Sequence, residues 1–234
     1  MAVGQKRPLA AAVRTWVDVP SGARVTLSGA MKMLSRGGQS SVVSLVPTGV
    51  QDYRPAYYGG VSAVELGPEG VRRIALPVDP RELESRLVLA YTGASRNSGI
   101  NNWEMFKAHI DGRGEVRERF SRIRDVAIAM RGALERGDWP EVARQIQQEW
   151  ETRKRLAPGV TTPEIDAIMA AALRAGALAT KICGAGGGGC MIAFCYPDDA
   201  PAVRRALADS GATPLDYRIE TEGLQVEQLP LAVA

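Results

Sequence analysis

Between residues 41 and 91 the apolar positions fall in short, β-branched runs: Ser41–Val46, Val61–Leu66, Val71–Leu76 and Arg86–Tyr91. Runs of this length bounded by Gly and Pro predict strands. Gly67-Pro68-Glu69-Gly70 is a turn signal that joins the second and third as a hairpin. Thr92-Gly93 closes the fourth and opens a polar loop over 94–102, with Asn101, Asn102 and Trp103 leading into a helix.

Beyond that loop the period lengthens. Val116, Phe120, Ile123, Ala127, Met130 and Leu134 recur at steps of four and three, one apolar stripe on a charged helix that Gly137 ends. Asp138-Trp-Pro-Glu141 starts a second helix with a capping box and an early proline, its inward face being Trp139, Val142, Ile146 and Trp150. Thr162-Pro163 starts a third, with Ile165, Ile168, Met169 and Ala172 inward. After Gly176 the pattern shortens again to strands at Leu178–Cys183 and Cys190–Tyr196, flanking a glycine loop. A helix over 199–210 and a strand over 214–220 follow. This order predicts an α+β fold, an antiparallel sheet covered by helices. There is no internal repeat.

Composition narrows the class. The chain has 234 residues, 45% hydrophobic, 24% charged and 6% aromatic, as expected of a globular protein with a real core. No apolar run approaches the roughly 20 residues needed to span a bilayer. The early apolar stretch Pro8–Val13 is cut by Arg14, too soon for a signal peptide. Cytoplasm is the expected location, and no membrane partner is expected. Net charge is +3, but residues 1–40 hold Lys6, Arg7, Arg14, Arg24, Lys32 and Arg36 against a lone Asp18. That basic head reads either as a nucleic-acid or targeting arm or as a poorly ordered terminus. The body lacks interleaved basic and aromatic residues, so nucleic acid is not the expected partner.

Metal and thiol chemistry find little support. Cys183, Cys190 and Cys195 lie within 13 residues without a CxxC spacing, and His109 is the only histidine. The three thiols read as core residues of a reducing compartment.

The most specific stretch is Lys181-Ile-Cys-Gly-Ala-Gly-Gly-Gly-Gly-Cys190. Four consecutive glycines free the backbone to take positive φ and to approach a ligand closely. Successive amides in such a loop can form a nest for phosphate oxygens. Gly184, Gly186 and Gly189 match the spacing of a dinucleotide fingerprint, but a strand follows where that motif needs a helix. A Walker loop fails because no Gly-Lys-Ser/Thr follows.

Lys181–Phe194 closely resembles the third motif of the GHMP kinases, the family of galactokinase, homoserine kinase, mevalonate kinase and phosphomevalonate kinase. Gly49-Val-Gln-Asp-Tyr-Arg-Pro-Ala-Tyr-Tyr-Gly-Gly60 resembles the segment that carries the family's catalytic base, and Leu89-Ala-Tyr-Thr-Gly-Ala-Ser-Arg-Asn-Ser98 the entry to the second domain in its heptose 7-phosphate kinase branch. The resemblance covers about residues 46–220. It implies a C-terminal GHMP kinase domain over 83–234, ATP and Mg2+ as cofactors, and a sugar or sugar phosphate as acceptor. It gives Asp52 the role of general base, and assigns the nucleotide phosphates to Gly184, Ala185, Gly186, Gly187, Gly188 and Gly189. Arg96 and Ser98, placed on a loop, would hold the acceptor's phosphate or hydroxyls. The arginines between Arg117 and Arg131 read as a solvated helix face.

The first 82 residues depart from the family pattern and are expected to be a degenerate or truncated N-terminal lobe. Gly37-Gly-Gln-Ser-Ser41 is the nearest echo of the family's Gly-Leu-Gly-Ser-Ser phosphate loop, which opens a long helix. Here it lacks a glycine and runs into a strand, and only 11 positions separate Ser41 from Asp52. Two functions are therefore expected to compete: a sugar or sugar-phosphate kinase, and a non-catalytic ligand- or partner-binding remnant. On the truncated reading the chain by itself binds ATP poorly, turns over slowly if at all, and self-associates through uncovered apolar surface.

Overall fold

The computed structural model describes residues 32–36, 39–43, 54–55, 57–94, 98–184 and 186–224. The chain divides into two units, Ile74–Ile219 on one hand and Met1–Arg73 with Glu220–Ala234 on the other.

In the smaller unit, β1 (Lys32–Arg36) and β2 (Gln39–Val43) form an antiparallel hairpin, with Arg36 opposite Gln39 and Lys32 opposite Val43. Of the predicted strand 41–46, residues 41–43 lie in β2, which starts earlier, at Gln39, and 44–46 lie outside the described residues. β3 (Ser62–Gly67) and β4 (Gly70–Ala75) form the expected hairpin, closed by Pro68 and Glu69. Arg73 donates to Ser62 Oγ at 2.8 Å and to the Gly59 carbonyl at 3.0 Å, with its guanidinium 5.0 Å from the Tyr58 ring centre. Residues 57–60 lie against 220–224: Gly60 N–H donates to the Glu220 carbonyl and Leu224 N–H to that of Tyr57.

The larger unit is built on a four-stranded antiparallel sheet in the order β6-β7-β5-β8. These strands are Ala177–Ile182, Cys190–Cys195, Leu87–Tyr91 and Thr213–Leu215. Its helices, in chain order, are α1 (Pro80–Ser85), α2 (Ser98–Ile110), α3 (Val116–Arg136), α4 (Trp139–Arg153), α5 (Pro163–Arg174) and α6 (Ala200–Asp209). Side chains alternate across the sheet, so its two faces make two cores. Val88, Ala90, Met191, Ala193 and Ile182 pack with α5 and α6 residues Ile165, Met169, Val203 and Leu207. Phe194 and Ala179 pack with Ala133, Val142 and Ile146 of α3 and α4.

The caps behave as their residue types demand. Asp138 accepts from Glu141 N–H at 3.2 Å, and Thr162 from Ile165 N–H at 3.3 Å. Gly137 takes φ +66°, where a left-handed residue ends α3 and turns the chain directly into α4.

Several expectations are corrected. α1 was not foreseen, although Asp79 caps it by accepting from Arg81 N–H at 2.9 Å and Pro80 opens it. The loop expected over 94–102 is helical from Ser98. In α3 it is Val126, 4% exposed, that is buried where Ala127 is expected, and Ala127 faces outward. In α4 Trp139 is only half-buried, its indole N–H held by Glu82 at 2.7 Å and its ring covered by Arg86 at 4.6 Å. Arg117 and Arg119 do more than face solvent: Arg117 donates to the His109 and Ile110 carbonyls, and Arg119 to that of Arg155. The strand expected over 214–220 is only Thr213–Leu215, because the Ile219 N–H is taken by the Glu84 carboxylate at 2.5 Å and Tyr217 hydrogen-bonds to the Leu87 carbonyl at 3.2 Å. Burial raises the Tyr217 phenol to about 12, with the Glu84 charge adding to it.

Among the three thiols only Cys195 is buried, and all three are reduced. Burial raises Cys195 to about 11, which leaves it inert at neutral pH. No described helix is long and apolar enough to cross a membrane.

Candidate active site

The glycine loop joins β6 to β7, and its base is a strand pair. Ile182 faces Met191, and Cys183 N–H donates to the Cys190 carbonyl at 2.8 Å. The loop is not a slack linker. Gly187 N–H donates to the Val160 carbonyl at 2.8 Å and Gly189 N–H to the Ala94 carbonyl at 2.9 Å. Gly184, Gly186, Gly187, Gly188 and Gly189 all have positive φ, from +76° to +135°.

Two of these glycines could be nothing else. A Cβ on Gly186 would lie 2.6 Å from both the carbonyl oxygen and a methyl of Val160, and one on Gly188 would lie 2.7 Å from the Ala94 oxygen. Those approaches fix the loop's path and split its amides into two sets. The Gly187 and Gly189 amides serve the protein, whereas those of Gly184, Gly186 and Gly188 carry no hydrogen bond among the described residues. The N–H groups not used by the protein are donors that a bound anion could take.

At β6, just before the loop begins, a buried carboxylate is paired. Glu149 of α4 is 8% exposed and holds two cations, Lys181 of β6 at 2.8 Å and Arg153 at 2.5 Å. Burial pushes its carboxyl up, but Lys181 and Arg153 outweigh it and hold the group below its ordinary value. The triad carries one net positive charge beside the start of the loop, an electrostatic bias toward anions. Gln147 on the same helix accepts the Thr180 N–H at 3.2 Å, tying α4 to β6 a second time.

On the other side, β5 delivers Thr92 and Ala94. Thr92, 8% exposed, donates to the Gly189 carbonyl through both its N–H and its Oγ1, each at 2.9 Å. Of the residues expected at the site, Gly184 and Gly186–Gly189 are in the loop as anticipated. Ser98 is the first residue of α2 rather than a loop residue, and its side chain lies outside the described part. Asp52, Arg96 and Ala185 lie outside the described residues. Thr92, Ala94, Glu149 and Val160 escaped the sequence reading. Only Thr92-Gly93 left a trace there, as the end of a strand.

An independent comparison fits this geometry. Residues 130–213, which include α4, α5 and the whole loop, match the family model described as GHMP kinases C terminal. This segment resembles the C-terminal domain of the GHMP kinases. Consistent with that, the chain is similar to the D-glycero-alpha-D-manno-heptose 7-phosphate kinase of Campylobacter jejuni, 27% identical over 245 residues covering 94% of this chain and 71% of the relative. A 73-residue stretch is 44% identical to the mevalonate kinase of Thermococcus onnurineus, covering 31% of this chain and 22% of that one. Among solved structures, a D-glycero-D-manno-heptose 1-phosphate kinase from Bacteroides thetaiotaomicron superposes with a TM-score of 0.55 at 25% identity, over 79% of this chain and 50% of that one. The chain thus spans about half the length of that solved kinase.

Proposed function

We propose that this protein transfers the γ-phosphoryl group of ATP to a hydroxyl of a sugar or sugar phosphate, with a heptose phosphate as the acceptor class. The observation that carries this reading is the pinned glycine loop. Gly186 and Gly188 hold the backbone where any Cβ would collide, so an anion can approach the remaining N–H groups directly. The heptose-phosphate acceptor rests on the names of the relatives, two of which are heptose phosphate kinases.

Phosphoryl transfer depends on positioning and charge stabilisation more than on covalent help from the protein. The amides of Gly184, Gly186 and Gly188 would hold phosphate oxygens, and the positive triad at Glu149 would favour their charge. Asp52 would accept the proton of the acceptor hydroxyl, and Arg96 and Ser98 would grip the acceptor. Mg2+ would neutralise phosphate charge when bound with ATP. Among the described residues, no group of three His, Cys, Asp or Glu side chains could hold a metal ion.

A second reading, a domain that binds ligand without phosphoryl transfer, is favoured by one observation. Gln39, Ser40 and Ser41, the nearest echo of the family's other phosphate loop, lie in β2 of a hairpin and do not open a helix. The deciding assay is ADP release with Mg·ATP and a panel of sugars and sugar phosphates. Turnover in the ordinary kinase range of about 1–100 s⁻¹ supports the first reading. In that case Asp52→Asn is expected to lower kcat by roughly 10²–10⁴. Nucleotide binding by calorimetry without turnover supports the second.

A further inference from the structure

The β5–β7 ladder does not stop at its last paired residues, Tyr91 and Cys190. It runs on by three hydrogen bonds between Thr92–Ala94 and Gly189, namely Thr92 N–H and Oγ1 to the Gly189 carbonyl and Gly189 N–H to the Ala94 carbonyl. Thr92 places its hydroxyl on a carbonyl that its own backbone already serves, so that oxygen takes two donors from one residue. Gly188 adds a steric stop, since a Cβ there would lie only 2.7 Å from the Ala94 oxygen. Gly93, at φ +80°, then turns the chain away toward α2. Only three residues, 95–97, separate this knot from Ser98. One end of the knot is therefore the proposed phosphate loop, and the other leads directly into the segment proposed to hold the acceptor.

We infer that Thr92 is a positioning residue that couples the acceptor segment to the phosphate loop, so that each substrate binds more tightly when the other is present. The inference rests on the kinase reading above. Its physical content is that Gly189 and Ala94 are tied to each other and to Thr92, so a ligand that holds one of them in place holds the other for the second ligand. Linkage then requires the effect to be reciprocal, and couplings of this kind are typically about 5–150-fold.

The test uses Thr92→Val, which keeps the side-chain shape and the N–H bond but removes the hydroxyl donor, and Thr92→Ser, which restores the donor. Dissociation constants for AMPPNP are measured by calorimetry with and without saturating heptose 7-phosphate. In the wild type the acceptor is expected to tighten AMPPNP at least about 5-fold. Thr92→Val should bring that factor close to one and raise KM for both substrates, whereas Thr92→Ser should restore both. Hydrogen exchange adds a readout independent of activity. Thr92→Val should speed amide exchange together in peptides covering 92–94 and 186–189, leaving α5 unchanged, and Thr92→Ser should reverse it. The inference is overturned if both ligands bind wild type without mutual effect, if Thr92→Val keeps the coupling, or if its exchange rises in one segment alone. If wild type binds neither ligand, the kinase reading falls and takes the coupling with it. Binding of both without coupling removes this inference alone.

Discussion

The β3–β4 and β6–β7 hairpins are each closed by a glycine-bearing connection, and they use their glycines in opposite ways. In β3–β4 the flanking glycines are spacious: a Cβ on Gly67 or Gly70 would meet nothing within 4 Å. In β6–β7 the connection has seven residues, Cys183 to Gly189, and two of its glycines stand within 2.7 Å of neighbouring backbone once a Cβ is imagined. The first glycine pair serves only a turn. The second lets a loop be threaded between two carbonyls and held there. Both connections are marked by glycine, more densely in the second, but what separates their use is whether the loop's amides are tied down.

The largest effect should come from breaking the threaded loop. Gly186→Ala adds a side chain at φ +86°, 2.6 Å from the Val160 backbone. Left-handed backbone and overpacking together are expected to cost about 2–5 kcal/mol, read from urea unfolding, and to abolish nucleotide binding. The matching Gly67→Ala change should stay within about 0.5 kcal/mol. Equal losses at the two sites would show that the Val160 contact does not constrain the loop.

This contrast also shows what was legible in the sequence. Asp138-Trp-Pro-Glu and Thr162-Pro carry side-chain caps, so the starts of α4 and α5 could be read from residue identity. The stripe on α3 was right in period and wrong by one place at Val126, because adjacent helical positions lie 100° apart and only the packing against α4 decides between two apolar residues. The glycine loop itself was legible as a strand–loop–strand unit. Its anchors were not, because Val160 and Ala94 act through main-chain carbonyls, which every residue possesses and no sequence pattern marks. Glu149 was hidden for a different reason. Its partner Lys181 is 32 positions away, and on α4 it reads as one more charge among many.

The second prediction concerns the charges behind each hairpin. Glu149→Gln leaves Lys181 and Arg153 beside a neutral amide in a nearly closed site. The expected cost is about 1–3 kcal/mol, below that of a fully buried pair because both cations keep about a quarter of their side-chain surface exposed. pH supplies the check. The folded-state pKa lies below the ordinary glutamate value of about 4.3, so the stabilisation is complete above that pH and is lost as pH falls through the lower, folded value. Wild type should therefore lose more stability on acidification below about pH 4 than Glu149→Gln does. Parallel acid-unfolding curves would remove the triad from the account.

The smallest effect is expected at the counterpart pair on the other hairpin. Arg72 meets Glu65 across β3 and β4 at 2.5 Å, a shorter approach than that of Lys181 to Glu149. Distance would rank it the stronger interaction, but exposure reverses the order: the Arg72 side chain is 72% exposed and that of Glu65 41%. Water screens such a pair, and two long side chains lose rotamer freedom to hold it. Arg72→Ala should change stability by no more than about 0.5 kcal/mol, and raising salt from 0.05 to about 0.5 M should erase even that. A loss from Arg72→Ala as large as that from Glu149→Gln would mean that the β3–β4 hairpin is held by its ion pair. Its simple turn would then need an anchor after all, and the contrast with the glycine loop would fail at its weaker member.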